Sequence, residues 1–119
     1  MNITLSLKNK MTDLEKRVFC FIPMGAERKV KSEEIERVFG ITSRQVRDIT
    51  YNLTQIGIPV VTSKKKDGGY YIATTEAERQ EGLRANRSQV QSELKRIKAV
   101  ESVDLNNFRA IAEEIRYDR

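Results

Sequence analysis

Hydrophobic positions along the chain change spacing several times, and each change marks an element. In "MTDLEKRVFCFI", Thr12 and Glu15 stand in capping-box spacing, and Leu14, Val18, Cys20, Phe21 and Ile22 supply an apolar face behind them. Pro23, which lacks a backbone donor, ends that predicted helix. The loop "PMGAERKVK" is expected to close with a short strand around Val30. Ser32 is expected to cap a second helix, "SEEIERVF", with Glu33 and Glu34 in the first turn, where the helix dipole favours carboxylates. Ile35, Val38 and Phe39 should face inward, and Gly40 should supply the left-handed turn that stops the helix.

A third helix is predicted between Thr42, its cap, and Gly57, its end. Val46, Ile49, Leu53 and Ile56 recur there at intervals of 3, 4 and 3 residues, a narrow core-facing stripe. The period then drops: "IPVVTS" reads as a strand, "KKKDGG" as a loop with a Gly-Gly turn, and "YYIA" as the returning strand. Helix, short strand, helix, tight turn, helix and hairpin fit neither a helical bundle nor a parallel α/β sheet. From Thr75 the pattern becomes helical with sparse apolar positions. "TEAE" is another capping box opening a stretch to about Val103, with Leu83, Val90, Leu94, Ile97 and Val100. Leu83, Val90 and Ile97 are seven apart, too short a run for a heptad array, and Gly82 weakens it further. Asp104 can cap a last helix with Leu105, Phe108, Ile111, Ala112 and Ile115 on one face. The expected organisation is an α+β unit over residues 1–74 and a helical extension over 75–119, whose thin stripes need a cover. Dimerisation through 75–119 is the expected one, and folding back on the chain's own core the alternative.

Composition narrows the chemistry. The 119 residues are 39% hydrophobic and 33% charged, enough for one modest core under a heavily charged surface. There is one cysteine and no histidine. An internal disulfide is therefore impossible, a zinc site of the usual ligand types close to excluded, and the commonest general acid/base absent. The apolar neighbours of Cys20 predict a buried small hydrophobe. No run approaches the ~20 apolar residues of a membrane span, and "MNITLSLKNK" lacks signal-peptide features. A cytoplasmic protein with no membrane partner is expected. No phosphate loop, dinucleotide motif or nucleophile–base pair occurs, so no enzyme activity, catalytic residue, metal, cofactor or small-molecule ligand is expected. The acidic clusters at Glu33–Glu36 and Glu113–Glu114 read as helix-surface charge.

The net charge is +5, and its position matters more than its size. Residues 1–73 carry 13 Lys and Arg against 8 Asp and Glu, whereas residues 74–119 carry nine of each. A basic half points to a polyanionic partner. On the predicted helix 42–57, Arg44, Arg47 and Tyr51 fall opposite the apolar stripe, with Thr54 and Gln55 close by and Asn52 nearer the core edge. Ser43 and Gln45 flank the helix start. Arginine matches the two acceptors of guanine, glutamine or asparagine matches adenine, and Thr42 with the free amides of the helix start can hold a phosphate. A plainer account pairs Arg44 with Asp48, both merely solvating the helix. Lys64, Lys65 and Lys66, at the tip of the hairpin that follows, shift the balance, because three adjacent cations repel unless a polyanion meets them. Their plainer account is a loop that blunts an edge strand. Lys29 and Lys31 are weaker candidates for flanking phosphates.

The stretch "GITSRQVRDITYNLTQIGIPVVTSKKKDGGYYIA", Gly40 to Ala73, resembles the helix-turn-helix and wing of the biotin-repressor type of winged-helix domain. The matching features are the small polar cap before the recognition helix, the "IGI" exit into the strand, and a glycine-bearing wing followed by "GYYI". The resemblance spans roughly residues 12–73. Residues 75–119 do not resemble the biotin-ligase domain, so that activity is not implied. The layout with a charged helical tail is similar to small winged-helix proteins of Gram-positive phages and mobile elements. The resemblance implies a double-stranded DNA partner, met by Thr42, Ser43, Arg44, Gln45, Arg47 and Tyr51 in the major groove and by Lys64, Lys65 and Lys66 on the backbone. It fits a transcriptional regulator or a mobile-element accessory factor. The competing expectation is a protein-interaction module using the same fold as a scaffold. Binding of RNA or single strands ranks third, since only Tyr51, Tyr70 and Tyr71 offer stacking surfaces.

Overall fold

Among the residues that the computed structural model describes, 3–63 and 68–118, capping chemistry sets most of the helix boundaries. The chain runs α1 (Ile3–Asn9), α2 (Asp13–Phe21), α3 (Ser32–Phe39), α4 (Ser43–Gln55), β1 (Val60–Ser63), β2 (Gly69–Ile72), α5 (Glu76–Glu101) and α6 (Leu105–Tyr117). This is an α+β fold of six helices and one antiparallel hairpin among the described residues. Both halves of the capping box form before α2: Thr12 Oγ1 accepts from Glu15 N at 3.1 Å, and Glu15 Oε1 accepts from Thr12 N at 2.9 Å. Asp104 caps α6 by accepting from the amides of Asn106 and Asn107.

Four local expectations need correction. Ser32 is not a cap: Lys31 holds that position without a side-chain bond, and Ser32, already inside α3, donates its hydroxyl to Glu36 Oε2 at 3.0 Å. Cys20 is exposed, because it lies about 200° around α2 from the buried Val18. Val38 is half-exposed on the flank of α3; Ile35 faces the core, and Phe39 packs edge-on against Phe21 with centroids 5.6 Å apart. The lead-in to α2 is itself a helix, α1, with no buried residue. "ITLSLKN" gives no helical apolar period, which is why its pattern does not announce it.

The core draws one stripe from each of three helices: Val18 and Ile22 from α2 and its end, Ile35 from α3, and Val46, Ile49 and Leu53 from α4. Val30, Ile58, Val60 and Ile72 close it. In the hairpin, Val60 pairs with Ile72 and Val61 with Tyr71, so successive pairs point to opposite faces. The first pair packs on the helices. A further bridge forms at Val30, which exchanges two backbone bonds with Tyr70 at 3.0 and 2.7 Å.

The second pair, Val61 and Tyr71, is also buried, under the first turns of α5. Tyr71 donates its hydroxyl to the carbonyl of Glu78 at 3.0 Å. Burial, then the carboxylates of Glu78 and Glu81, push this phenol up and keep it a donor. Glu78 accepts from the Thr74 amide at 2.8 Å, the Thr74 hydroxyl at 2.7 Å and the Ala26 amide at 2.6 Å. These donors hold its carboxyl at about 2, the Thr74 amide contributing most. One turn later Gly82 is buried, and a Cβ there would lie 2.5 Å from that of Val61. The glycine that disturbs the helical pattern is what lets helix and strand touch.

Two compact units result, Met1–Ala85 and Asn86–Arg119, and the division between them falls within α5. Glu78 and Gly82 hold the start of α5 in the first unit. In the second unit every described residue is exposed except Ala112, which is partly buried. No helix among the described residues is long and apolar enough to cross a membrane.

Two predictions follow from α5. Replacing a helical glycine by alanine ordinarily gains about 1 kcal/mol, whereas forcing a methyl into a packed contact costs about 1–3 kcal/mol. Gly82→Ala is therefore expected to lower the melting temperature by several degrees in thermal unfolding followed by circular dichroism; an unchanged or raised midpoint would show that the contact yields. For Glu78, a carboxyl depressed from 4.5 to about 2 stabilises the fold above its unfolded value. That contribution fades as pH falls from about 4.5 through about 2. Glu78→Gln should melt below the wild type at pH 7, and the gap should close across that window; a pH-independent gap would exclude the linkage.

Candidate nucleic-acid interface

The turn before α4 fixes how that helix is presented. Gly40 ends α3 in the left-handed region at φ 63°, ψ 42°, where a side chain would cost energy. Ile41 donates its amide back to Glu36 O at 3.1 Å. Thr42 then opens α4, so three residues separate the two helices. The capping box here is complete: Thr42 Oγ1 accepts from Gln45 N at 3.1 Å, and Gln45 Oε1 accepts from Thr42 N at 2.9 Å.

That box changes the roles of two candidates. The Thr42 hydroxyl and the Gln45 carbonyl oxygen are engaged in starting the helix, leaving the Gln45 amide nitrogen to reach outward. Ser43, Arg44, Arg47, Asp48, Tyr51, Thr54 and Gln55 are all exposed, while Val46, Ile49, Thr50 and Leu53 are buried. At 100° per residue, Arg44, Asp48, Tyr51 and Gln55 form the outermost row, and Arg47 and Thr54 flank it. Asp48 was not among the sequence candidates, yet it stands in the middle of this row. The helical period was the signal that could have found it, and its charge drew attention to pairing instead. Among the described residues, however, no ion pair joins Arg44 to Asp48, and neither the Arg44 nor the Arg47 guanidinium has a hydrogen-bond partner.

The inner edge of α4 is held by a second contact. Glu15, almost buried at 9% exposure, accepts from Asn52 Nδ2 at 3.2 Å through the oxygen that its own cap leaves over. One carboxylate thus serves the start of α2 and the flank of α4. Asn52 is thereby turned away from the outer row. Thr50 and Thr54 bond back to the carbonyls of Arg47 and Tyr51, so neither hydroxyl is directed outward.

Lys64, Lys65 and Lys66 lie outside the described residues. β1 and β2 pair from Val60–Ile72 to Ser63–Gly69, and in the sequence the lysines fall between these strands. The weaker candidate Lys29 sits with its Nζ 5.9 Å from the centroid of the Tyr71 ring, and Lys31 is exposed. Of the three stacking candidates, Tyr71 is buried, Tyr70 packs against the core and Tyr51 is 62% exposed. One exposed ring is a poor platform for successive bases.

The chain matches no family model, no curated protein and no solved structure. The meaning of this surface therefore rests on its geometry.

Asn52→Ala would leave one oxygen of the nearly buried Glu15 without its partner. A loss of about 1 kcal/mol is expected, at the low end for a bond to a charged group because Asn52 is exposed. Chemical denaturation of the two proteins checks this, and equal midpoints would show that water replaces the amide.

Proposed function

We propose that the chain is a winged helix-turn-helix protein that binds double-stranded DNA, with α4 in the major groove and the β1–β2 connection on the backbone. The observation carrying this reading is the outer row of α4. A firmly capped helix, delivered by a three-residue turn, offers Arg44 and Arg47 with no partner of their own. An arginine left unpaired on a rigid helix is ready for guanine or phosphate, because binding breaks no existing contact. Asp48, one turn after Arg44 on the same row, suits the exocyclic amine of cytosine and repels phosphate, which favours a base-reading role for this row over simple electrostatic adhesion. The three lysines that follow in the chain add counterion release. Gln45 contributes its amide nitrogen, Ser43 its hydroxyl, Tyr51 its ring, and Thr42 acts by fixing the helix start. This is the chemistry of a sequence-specific regulator or a mobile-element accessory factor.

Binding to duplex DNA from a selected pool, measured across a salt series, tests the reading. The double variant Arg44→Ala, Arg47→Ala should weaken specific binding by 10-fold or more, taking roughly 1–3 kcal/mol for each good base contact. Lys66→Ala should weaken all sequences about equally and reduce the salt slope by about one unit if it meets one phosphate. Affinity indifferent to salt, or unmoved by the double variant, would leave the fold as a scaffold for protein contacts instead.

A further inference from the structure

The second half of α5 carries an uncovered stripe whose charges match a reversed copy of itself. From Asn86 to Glu101 every residue is exposed, and Val90, Leu94 and Ile97 are 56, 48 and 49% exposed. These three continue at both ends into charge: Arg87, Val90, Leu94, Ile97 and Glu101 follow at intervals of 3, 4, 3 and 4 residues, one row of a helix. The row thus begins with a cation, passes through three apolar side chains and ends with an anion. Arg87 and Glu101 each lie seven residues from Leu94.

From this symmetry we propose that α5 pairs antiparallel with α5 of a second copy of this chain, about a two-fold axis at Leu94. In that arrangement Leu94 meets its mate on the axis, and Val90 of each chain packs beside Ile97 of the other. Arg87 faces Glu101 of the second copy at both ends, about 10 Å along the helix from the axis. A parallel pair would instead set Arg87 beside Arg87 and Glu101 beside Glu101, two like-charge contacts. The chain's own α6 does not cover the stripe: Leu105, Phe108, Ile111 and Ile115 are themselves 43–75% exposed. A two-fold contact uses the same patch on both copies, and this patch is self-complementary in apolar character and in charge. The stripe is only about 21 Å long, so the interface is small and association in the micromolar range is expected. The pairing does not depend on whether α4 meets DNA.

Sedimentation equilibrium of the full chain provides the test, with circular dichroism confirming unchanged helix content. Arg87→Glu and Glu101→Arg, each alone, turn both end contacts repulsive and should each raise the dimer dissociation constant roughly tenfold. The double exchange Arg87→Glu with Glu101→Arg recreates both pairs and should return the constant to within about threefold of wild type. In a Cys20→Ser background, oxidation should cross-link the Leu94→Cys variant to itself and leave the Arg87→Cys variant without a covalent link. A monomer at all concentrations, single exchanges without effect, a double exchange worse than either single, or equal cross-linking at both positions would each overturn the proposal.

Discussion

The carboxylate of Glu78 ties the start of α5 to two other parts of the chain at once. It collects donors from Ala26, in the loop after α2, and from Thr74, at the exit of β2, while its own backbone carbonyl receives the Tyr71 hydroxyl. The hairpin is only four residues a side and would be marginal alone. Covered on one face by three helices and on the other by the first turns of α5, it becomes a rigid middle layer. The covering is possible because Gly82 lets α5 settle against Val61. Without the start of α5, Val61 and Tyr71 would be an exposed apolar pair, so residues 76–85 complete the core and do not merely follow it.

Rigidity on that side gives α4 a fixed frame on the other. Its inner stripe is buried, its first turn is boxed by Thr42 and Gln45, and its flank is tied to Glu15 by Asn52. The polar groups nearest the core are all spent on structure. Those on the outer row are not, and that division gives the row its meaning. A helix that merely needed solvation would be expected to pair Arg44 with Asp48 one turn away at no structural cost. Here both remain available, one as a donor and one as an acceptor.

Much of this arrangement was legible in the residues, for identifiable reasons. The boxes at Thr12 and Thr42, the turn at Gly40, the stripe Val46–Ile49–Leu53 and the hairpin all follow from local rules, in which the residue and its neighbours decide the outcome. What was not legible depended on distant partners. Nothing near Glu78 in sequence indicates Ala26, fifty-two positions earlier, and nothing near Gly82 indicates Val61. The cysteine was misread because apolar neighbours along a helix do not share its face. Gln45 and Thr42 were read as ligand-facing from their position at a helix start, where the same chemistry first satisfies the helix itself. Asp48 enters the sequence reading only as a pairing partner for Arg44, although the helical period alone places it on the outer row.

The distribution of charge suits both proposed roles in one small chain. The excess of cations lies wholly within residues 1–73, and the remainder is neutral. Two basic units repel each other over roughly a Debye length of 8 Å at physiological salt. Self-association through the basic half would therefore work against itself, and it would compete for the side chains that suit a polyanion. A neutral stripe carrying one cation and one anion has no such conflict. It is attractive to its own copy, and it offers little to phosphate. Salt would act differently on the two proposed contacts as well: counterion release would make a polyanion contact steeply dependent on ionic strength, whereas apolar contact with two flanking ion pairs loses only the pairs. Segregating charge from apolar surface along the sequence thus keeps each contact from interfering with the other.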